Sequence, residues 1–203
     1  MAISGRTIRN VLDVGCGAGQ EMLPFVRDLQ IPAIGVDVAP SAGLVGRELF
    51  GVLGLDKRVH FARACAENLP LRDNYFDLVI CRVALPYMNN RQALSEMSRV
   101  LHPDGVILLQ IHHARFYLRK LHNGLISLNI FSFIHSVLAL FFGTVYHFTD
   151  WQSSYRRFRE VYQTELKLRQ ELARSGLVIK SKFPDSDPAT PSYLIEKSEI
   201  TIK

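Results

Sequence analysis

Three glycines spaced two apart, Gly15, Gly17 and Gly19 in "VLDVGCGAGQ", follow a short apolar run, and an acid, Asp13, stands two residues ahead of the first. Such a turn between a strand and a helix lets a ligand approach the backbone closely, because the missing Cβ atoms leave room and the helix start offers free N–H groups. Spacing decides which ligand. Dinucleotide folds use GxGxxG, and Gln20 holds the place of their third glycine here. A Walker phosphate loop ends in Gly-Lys-Ser/Thr, which is not found. A second acid, Asp37, ends the next apolar run in "GVDVAP". It is placed either to accept hydrogen bonds from ribose hydroxyls or to cap the helix that follows. His112 and His113 leave the fifth such run in "GVILLQIHH". Imidazoles there suit a general base near working pH; the other reading is one hydrogen-bonded structural histidine and one solvated one.

The elements that position these residues are readable from periodicity. Short apolar, β-branched runs at 9–15, 32–38, 58–64, 76–82 and 105–111 alternate with helical patterns, which predicts a doubly wound α/β fold with a mostly parallel sheet. In "NRQALSEMSRVL" the residues Ala93, Leu94, Met97, Val100 and Leu101 share one helix face, and "HPDG" is expected to end the helix. From 112 to 164 the alternation is interrupted, and Leu121 to Thr149 contains no Asp, Glu, Lys or Arg. The pattern then returns with the helix "ELKLRQELARSGL", ending at Gly176, and the runs "VIKSKF" and "SYLIEK". No linker or repeat divides the chain, so 1–203 is expected to form one domain with 112–164 as an insertion.

Composition narrows the setting. A chain of 203 residues that is 48% hydrophobic and 21% charged can bury a substantial core. Cys16, Cys65 and Cys81 form no CxxC pair and no zinc spacing, so buried thiols in a reducing, cytoplasmic compartment are expected. "MAISGRTIRN" has no apolar stretch of the signal-peptide kind. The net charge of +5 favours an anionic partner or surface.

Four motifs in order, "DVGCGAG", "GVDVAP", "AENLPLRDNYFDLV" and "SRVLHPDGVILL", make the sequence similar to the class I S-adenosylmethionine-dependent methyltransferases, type 11 or UbiE-like branch. The resemblance covers 9–111 well and 165–198 loosely. It implies a Rossmann-like sheet of seven strands, the last antiparallel, with a helical insertion after the fifth strand. It also implies S-adenosylmethionine as cofactor. Gly15, Cys16, Gly17 and Gly19 would form the floor under its methionyl and ribose parts, and Asp37 would hold the ribose. Asp13 would either orient the loop and reach the ammonium group or serve as a structural carboxylate. Val38 and the Ala66 amide would meet adenine. Cys65 stands where many members carry an Asp for the adenine amine. Arg82 completes the cofactor set and, with Tyr87, faces the acceptor region.

The implied activity is methyl transfer by in-line displacement to a small, lipophilic acceptor, with His112 and His113 as candidate bases. The alternative is a catalytically inactive cofactor-binding relative acting as a regulatory or membrane-surface partner. "ICRVALPYM" lacks the Asn/Asp-Pro-Pro-aromatic turn of amino-methylating nucleic-acid enzymes, so no nucleic acid is expected. No acidic cluster of the magnesium-dependent kind follows either, so no metal is expected. No helical pattern precedes Asn10, which leaves the insertion to cover the pocket, with Phe116, Phe131 and Tyr146 as lining candidates. The uncharged stretch 121–149 could instead be a peripheral membrane patch, given basic flanks at Arg115, Arg119, Lys120, Arg156, Arg157 and Arg159, or a homodimer contact.

Overall fold

A computed structural model of the chain describes residues 5–155, 159–183 and 186–198, so Arg156 and Arg157 lie outside the described residues. Seven strands form one sheet: β1 (Val11–Val14), β2 (Ala33–Asp37), β3 (Val59–Arg63), β4 (Phe76–Arg82), β5 (Leu101–Gln110), β6 (Leu177–Lys182) and β7 (Ser192–Lys197). Their order is β3-β2-β1-β4-β5-β7-β6. β1 to β5 pair in parallel, and β7 runs antiparallel between β5 and β6. The chain order therefore reverses between β1 and β4, and a doubly wound sheet opens its ligand crevice at that reversal.

Helices α1 (Leu23–Arg27), α2 (Pro40–Val52), α3 (Asn90–Val100) and α6 (Glu165–Arg174) cover the sheet. Alternation along the strands sorts the core into two layers. Leu12, Val79, Cys81, Ile107 and Leu109 pack with Ala93, Leu94 and Met97 of α3 and with Leu168 and Leu172 of α6. Val11, Leu78, Ile80 and Val106 pack on the other face with Val26 and Phe50. Strands buried on both faces are what the apolar runs of the sequence require.

One boundary differs from the sequence expectation. α3 stops at Val100, and "HPDG" lies inside β5, where the register with β4 shifts between Phe76 and Leu78. Leu101 still pairs with Phe76, and the next residues bulge before Val106 pairs with Leu78. Gly105 fits there because a Cβ would lie 2.9 Å from the Phe76 carbonyl oxygen.

The insertion is a helical hairpin, α4 (Ala114–Ile126) and α5 (Ile130–Thr149), joined through Leu128 at φ 52°. His113 caps α4 and Asn129 caps α5. The inner face of α5 is built from Ser136, Ala139, Gly143 and Tyr146. Gly143 lets the strand-like segment before α6 approach, since a Cβ would lie 2.3 Å from the Tyr162 ring.

Candidate active site

At the carboxyl ends of β1, β2 and β4 lies a cleft of about 410 Å³. Six of the sequence-derived cofactor residues line it: Gly15, Asp37, Val38, Cys65, Ala66 and Arg82. Asp13, Cys16, Gly17 and Gly19 build the loop and strand end beside it. Gly15, Gly17 and Gly19 have φ of 74°, 53° and 82°, the left-handed region that other residues enter at a cost. Their reasons differ. A Cβ on Gly15 would lie 2.4 Å from the Ala84 Cβ, whereas one on Gly17 would meet nothing within 4 Å.

Asp37 ties the loop to the next helix. Its Oδ2 accepts from the Gly17 N–H at 3.0 Å and its Oδ1 from the Ala39 N–H at 2.8 Å. Each oxygen keeps a free lone pair, so the ribose reading and the turn reading coexist in one carboxylate. Asp13 is 1% exposed, and its Oδ2 has no hydrogen-bond partner among the described residues. Burial, followed by the charges of Glu21 and Asp37, pushes its carboxyl up to about 8. Burial also pushes the Cys16 thiol up to about 12, and Cys16 turns away from this cleft toward Gly35. Arg82 pairs with Glu21 and donates from Nε to Gln110 at 2.9 Å, linking the end of β4 to the start of the helix after the glycine loop.

Of the other wall, the sequence points only to Tyr87. Val83 has φ 47°, an outlier for a β-branched residue, and its N–H donates to the Gln110 carbonyl at 2.9 Å. That turn carries Ala84, Tyr87 and Met88 to the cleft. Glu67 and Arg159 line it as well, paired at 2.9 Å. Behind Tyr87 sits a polar network that runs from buried Tyr117 and Glu160 to half-buried His135 and Lys120. The Tyr117 hydroxyl donates to Glu160 Oε1 at 2.8 Å, His135 lies 2.6 Å from Glu160 Oε2, and Lys120 lies 3.1 Å from His135. Tyr87 is 51% exposed, and partial burial of its phenol, together with the charge of nearby Glu160, holds it above its usual range. No short motif could have announced Glu160, which is far from Tyr87 in sequence.

Neither histidine lines the cleft. His112 is 6% exposed, stacked on Phe116 at 4.0 Å, with Nδ1 3.3 Å from the Tyr117 hydroxyl. Burial pulls it down to about 4, so it is uncharged at neutral pH. His113 accepts from the Arg115 N–H at 3.4 Å as the cap of α4. The lining candidates of the insertion lie elsewhere. Phe116, Phe131 and Tyr146 are not among the lining residues. Phe116 is committed to His112, Tyr146 lies under the Lys167 ammonium at 4.7 Å, and Phe131 is 84% exposed. The small residues on the inner face of α5 seat the hairpin against Tyr162 and Thr164.

The fold and this site define a Rossmann-like methyltransferase domain. Residues 12–109 match the family model Methyltransf_11, described as "Methyltransferase domain". This match and the relatives that follow are consistent with a class I S-adenosylmethionine-dependent methyltransferase of the type 11 branch. It is 37% identical over 110 residues to the uncharacterized methyltransferase YcgJ of Bacillus subtilis, covering 54% of this chain and 43% of that protein. It is 36% identical over 104 residues to the ubiquinone/menaquinone biosynthesis C-methyltransferase UbiE of Vibrio campbellii, covering 50% and 40%. The chain thus spans less than half the length of these curated relatives. The crystal structure of the B. subtilis YcgJ protein superposes with a TM-score of 0.65 at 20% identity, covering 96% of this chain and 93% of that one, which shows a shared fold. The residues present fit the family's cofactor. An orphaned buried carboxylate oxygen on Asp13 suits an ammonium group, Asp37 has acceptors to spare, and the space beside Gly17 is open.

Proposed function

We propose that this domain transfers the methyl group of S-adenosylmethionine to a small, lipophilic acceptor bound at the Val83–Met88 end of the cleft. The observation that carries this reading is the composition of that end: Val83, Ala84 and Met88 are apolar, and Tyr87, backed by buried Glu160, supplies a polar group among them. The name of the UbiE relative, with its quinone-biosynthesis acceptor, supports a lipophilic acceptor. When bound, the cofactor supplies an electrophilic methyl group on a sulfonium.

The chain's own residues do the rest. Asp13, the glycine loop and Asp37 fix the donor, and the apolar wall holds the acceptor aligned and shielded from water. For an oxygen or nitrogen acceptor, the Tyr87 oxygen takes the acceptor's proton while the phenol proton passes to Glu160. His112 acts at one remove, positioning Tyr117 on Glu160. Formation of S-adenosylhomocysteine from S-adenosylmethionine and a lipid-soluble extract tests the reading, and absence of turnover with lipophilic and polar extracts alike contradicts it. Tyr87→Phe is expected to lower kcat by about 10- to 100-fold with a protic acceptor, the usual contribution of a positioned acid or base. Cofactor affinity stays unchanged, and titration with S-adenosylmethionine checks that arm.

Asp13 makes binding pH-dependent. Between its unfolded value of 3.8 and its folded value of about 8 the free protein binds an extra proton, so its own stability falls as pH rises through that window. An ammonium group binds the ionised form. Affinity for S-adenosylmethionine is therefore expected to rise from pH 6 to pH 8, by up to about tenfold per unit. Asp13→Asn flattens the slope, and calorimetric titration at three pH values measures it.

A further inference from the structure

The hairpin leaves a large apolar surface exposed. At its tip Leu128 is 89% exposed and Phe131 84%, with Leu125, Ile126 and Ile130 exposed beside them. Along α5 the exposed side continues through Ile134, Val137, Phe141 and Phe148 at helical spacing. A surface of this extent marks an interaction site.

We propose that the hairpin tip inserts shallowly into an anionic phospholipid bilayer and seats the protein on its surface. Three observations choose this occupant. First, charge is graded along the hairpin: residues 121–149 carry no Asp, Glu, Lys or Arg, while Arg115, Arg119 and Lys120 stand nearer its base. Arg119 is paired with Asp187, and Arg115 is exposed. Second, the dimensions match. Lys120, beside His135 at 3.1 Å, is six residues from Ile126, about 9 Å along a helix, which sets its ammonium at headgroup level when the apolar tip is about 5–10 Å deep. Third, large apolar side chains are exposed on both helices, at Leu125, Ile126, Ile130 and Phe131, and on the turn at Leu128, while Ser127 and Asn129 beside it spend their polar groups on the Asn123 carbonyl and the Ser132 N–H. A two-fold contact with a second copy would cover one side of such a convex end; a lipid phase surrounds it.

Insertion stops short of crossing. α5 is the one helix among the described residues long and apolar enough to span, but its inner face is committed to Tyr162 and to Thr164, which lies 2.9 Å from His147. α4, with 13 residues, is shorter than a span.

The test is co-sedimentation of the full chain with vesicles of phosphatidylglycerol and phosphatidylcholine, and with phosphatidylcholine alone. The protein is expected to sediment with the anionic vesicles and to be released by salt. The pair Leu128→Asp and Phe131→Asp, on exposed positions that leave the melting temperature unchanged, is expected to weaken binding by at least about tenfold. Replacing Arg115 and Lys120 by Gln should abolish the preference for anionic lipid. Failure of the unmodified chain to bind either vesicle overturns the proposal. So does a dimer in lipid-free solution that Leu128→Asp and Phe131→Asp dissociate, because the occupant is then a second copy. Cofactor binding is a separate readout, so either outcome leaves the methyl-transfer reading standing or falling on its own test.

Discussion

Asp37→Ala is expected to abolish S-adenosylmethionine binding by two routes at once. The first is loss of the ribose acceptor, and the second is loss of the 3.0 Å and 2.8 Å bonds that hold Gly17 and Ala39 in place before the ligand arrives. Hydrogen bonds to a charged group contribute about 1.5–3 kcal/mol each, so removing two weakens binding by about 100-fold or more. Asp37→Asn separates the routes. Its one carbonyl oxygen can serve one amide while its NH₂ faces the other donor, and an intermediate loss is expected. Calorimetric titration reads both variants, and an Asp37→Ala affinity within twofold of the unmodified chain would reduce Asp37 to a turn residue.

Much of this site was legible because its geometry is set by short-range spacing. Gly15, Gly17, Gly19 and Asp37 sit at fixed offsets from strands whose apolar alternation is plain, and each of the seven strands overlaps a run read from the sequence, with β5 starting four residues earlier than its run. What stayed hidden depends on tertiary packing. Val83 gives no sign of a left-handed backbone, because its side chain disfavours one, yet that turn delivers Ala84 and Met88 to the cleft. His112 looks like a base at a strand end, and only the stacking of Phe116 and the approach of Tyr117 show that it is buried. The uncharged stretch 121–149 predicted helices but not which way their apolar faces turn. That was decided by Gly143 against Tyr162, a contact between residues 19 apart that no periodicity encodes.

Alanine at Gly15 and at Gly17 should fail in different ways. Both impose a left-handed backbone on a side chain, at roughly 1–2 kcal/mol. Gly15→Ala adds an overlap with Ala84 at 2.4 Å, and overpacking of this kind costs about 1–3 kcal/mol more. Its melting temperature is expected to fall by about 5 °C or more, at about 2–4 °C per kcal/mol for a chain of this size. Gly17→Ala meets no protein atom within 4 Å, so only the backbone cost lowers its melting temperature, by about 2–8 °C and less than in Gly15→Ala, while its methyl group projects into open space at the glycine loop. Its cofactor affinity is expected to drop by at least about tenfold, equivalent to about 1.4 kcal/mol. Equal melting temperatures for the two variants would show that the loop and the Val83–Met88 turn are not packed as described.

The central claim is that the cleft between β1, β2 and β4 is an S-adenosylmethionine site and not a dinucleotide site. Thermal unfolding of the full chain with each ligand in excess tests it most directly. A ligand at 100 times its Kd stabilises the native state by about 2.7 kcal/mol, which corresponds to roughly 5–10 °C for a domain of this length. S-adenosylmethionine and S-adenosylhomocysteine are expected to produce that rise, and NAD to leave the transition where it is. A rise with NAD and none with S-adenosylmethionine would contradict the account.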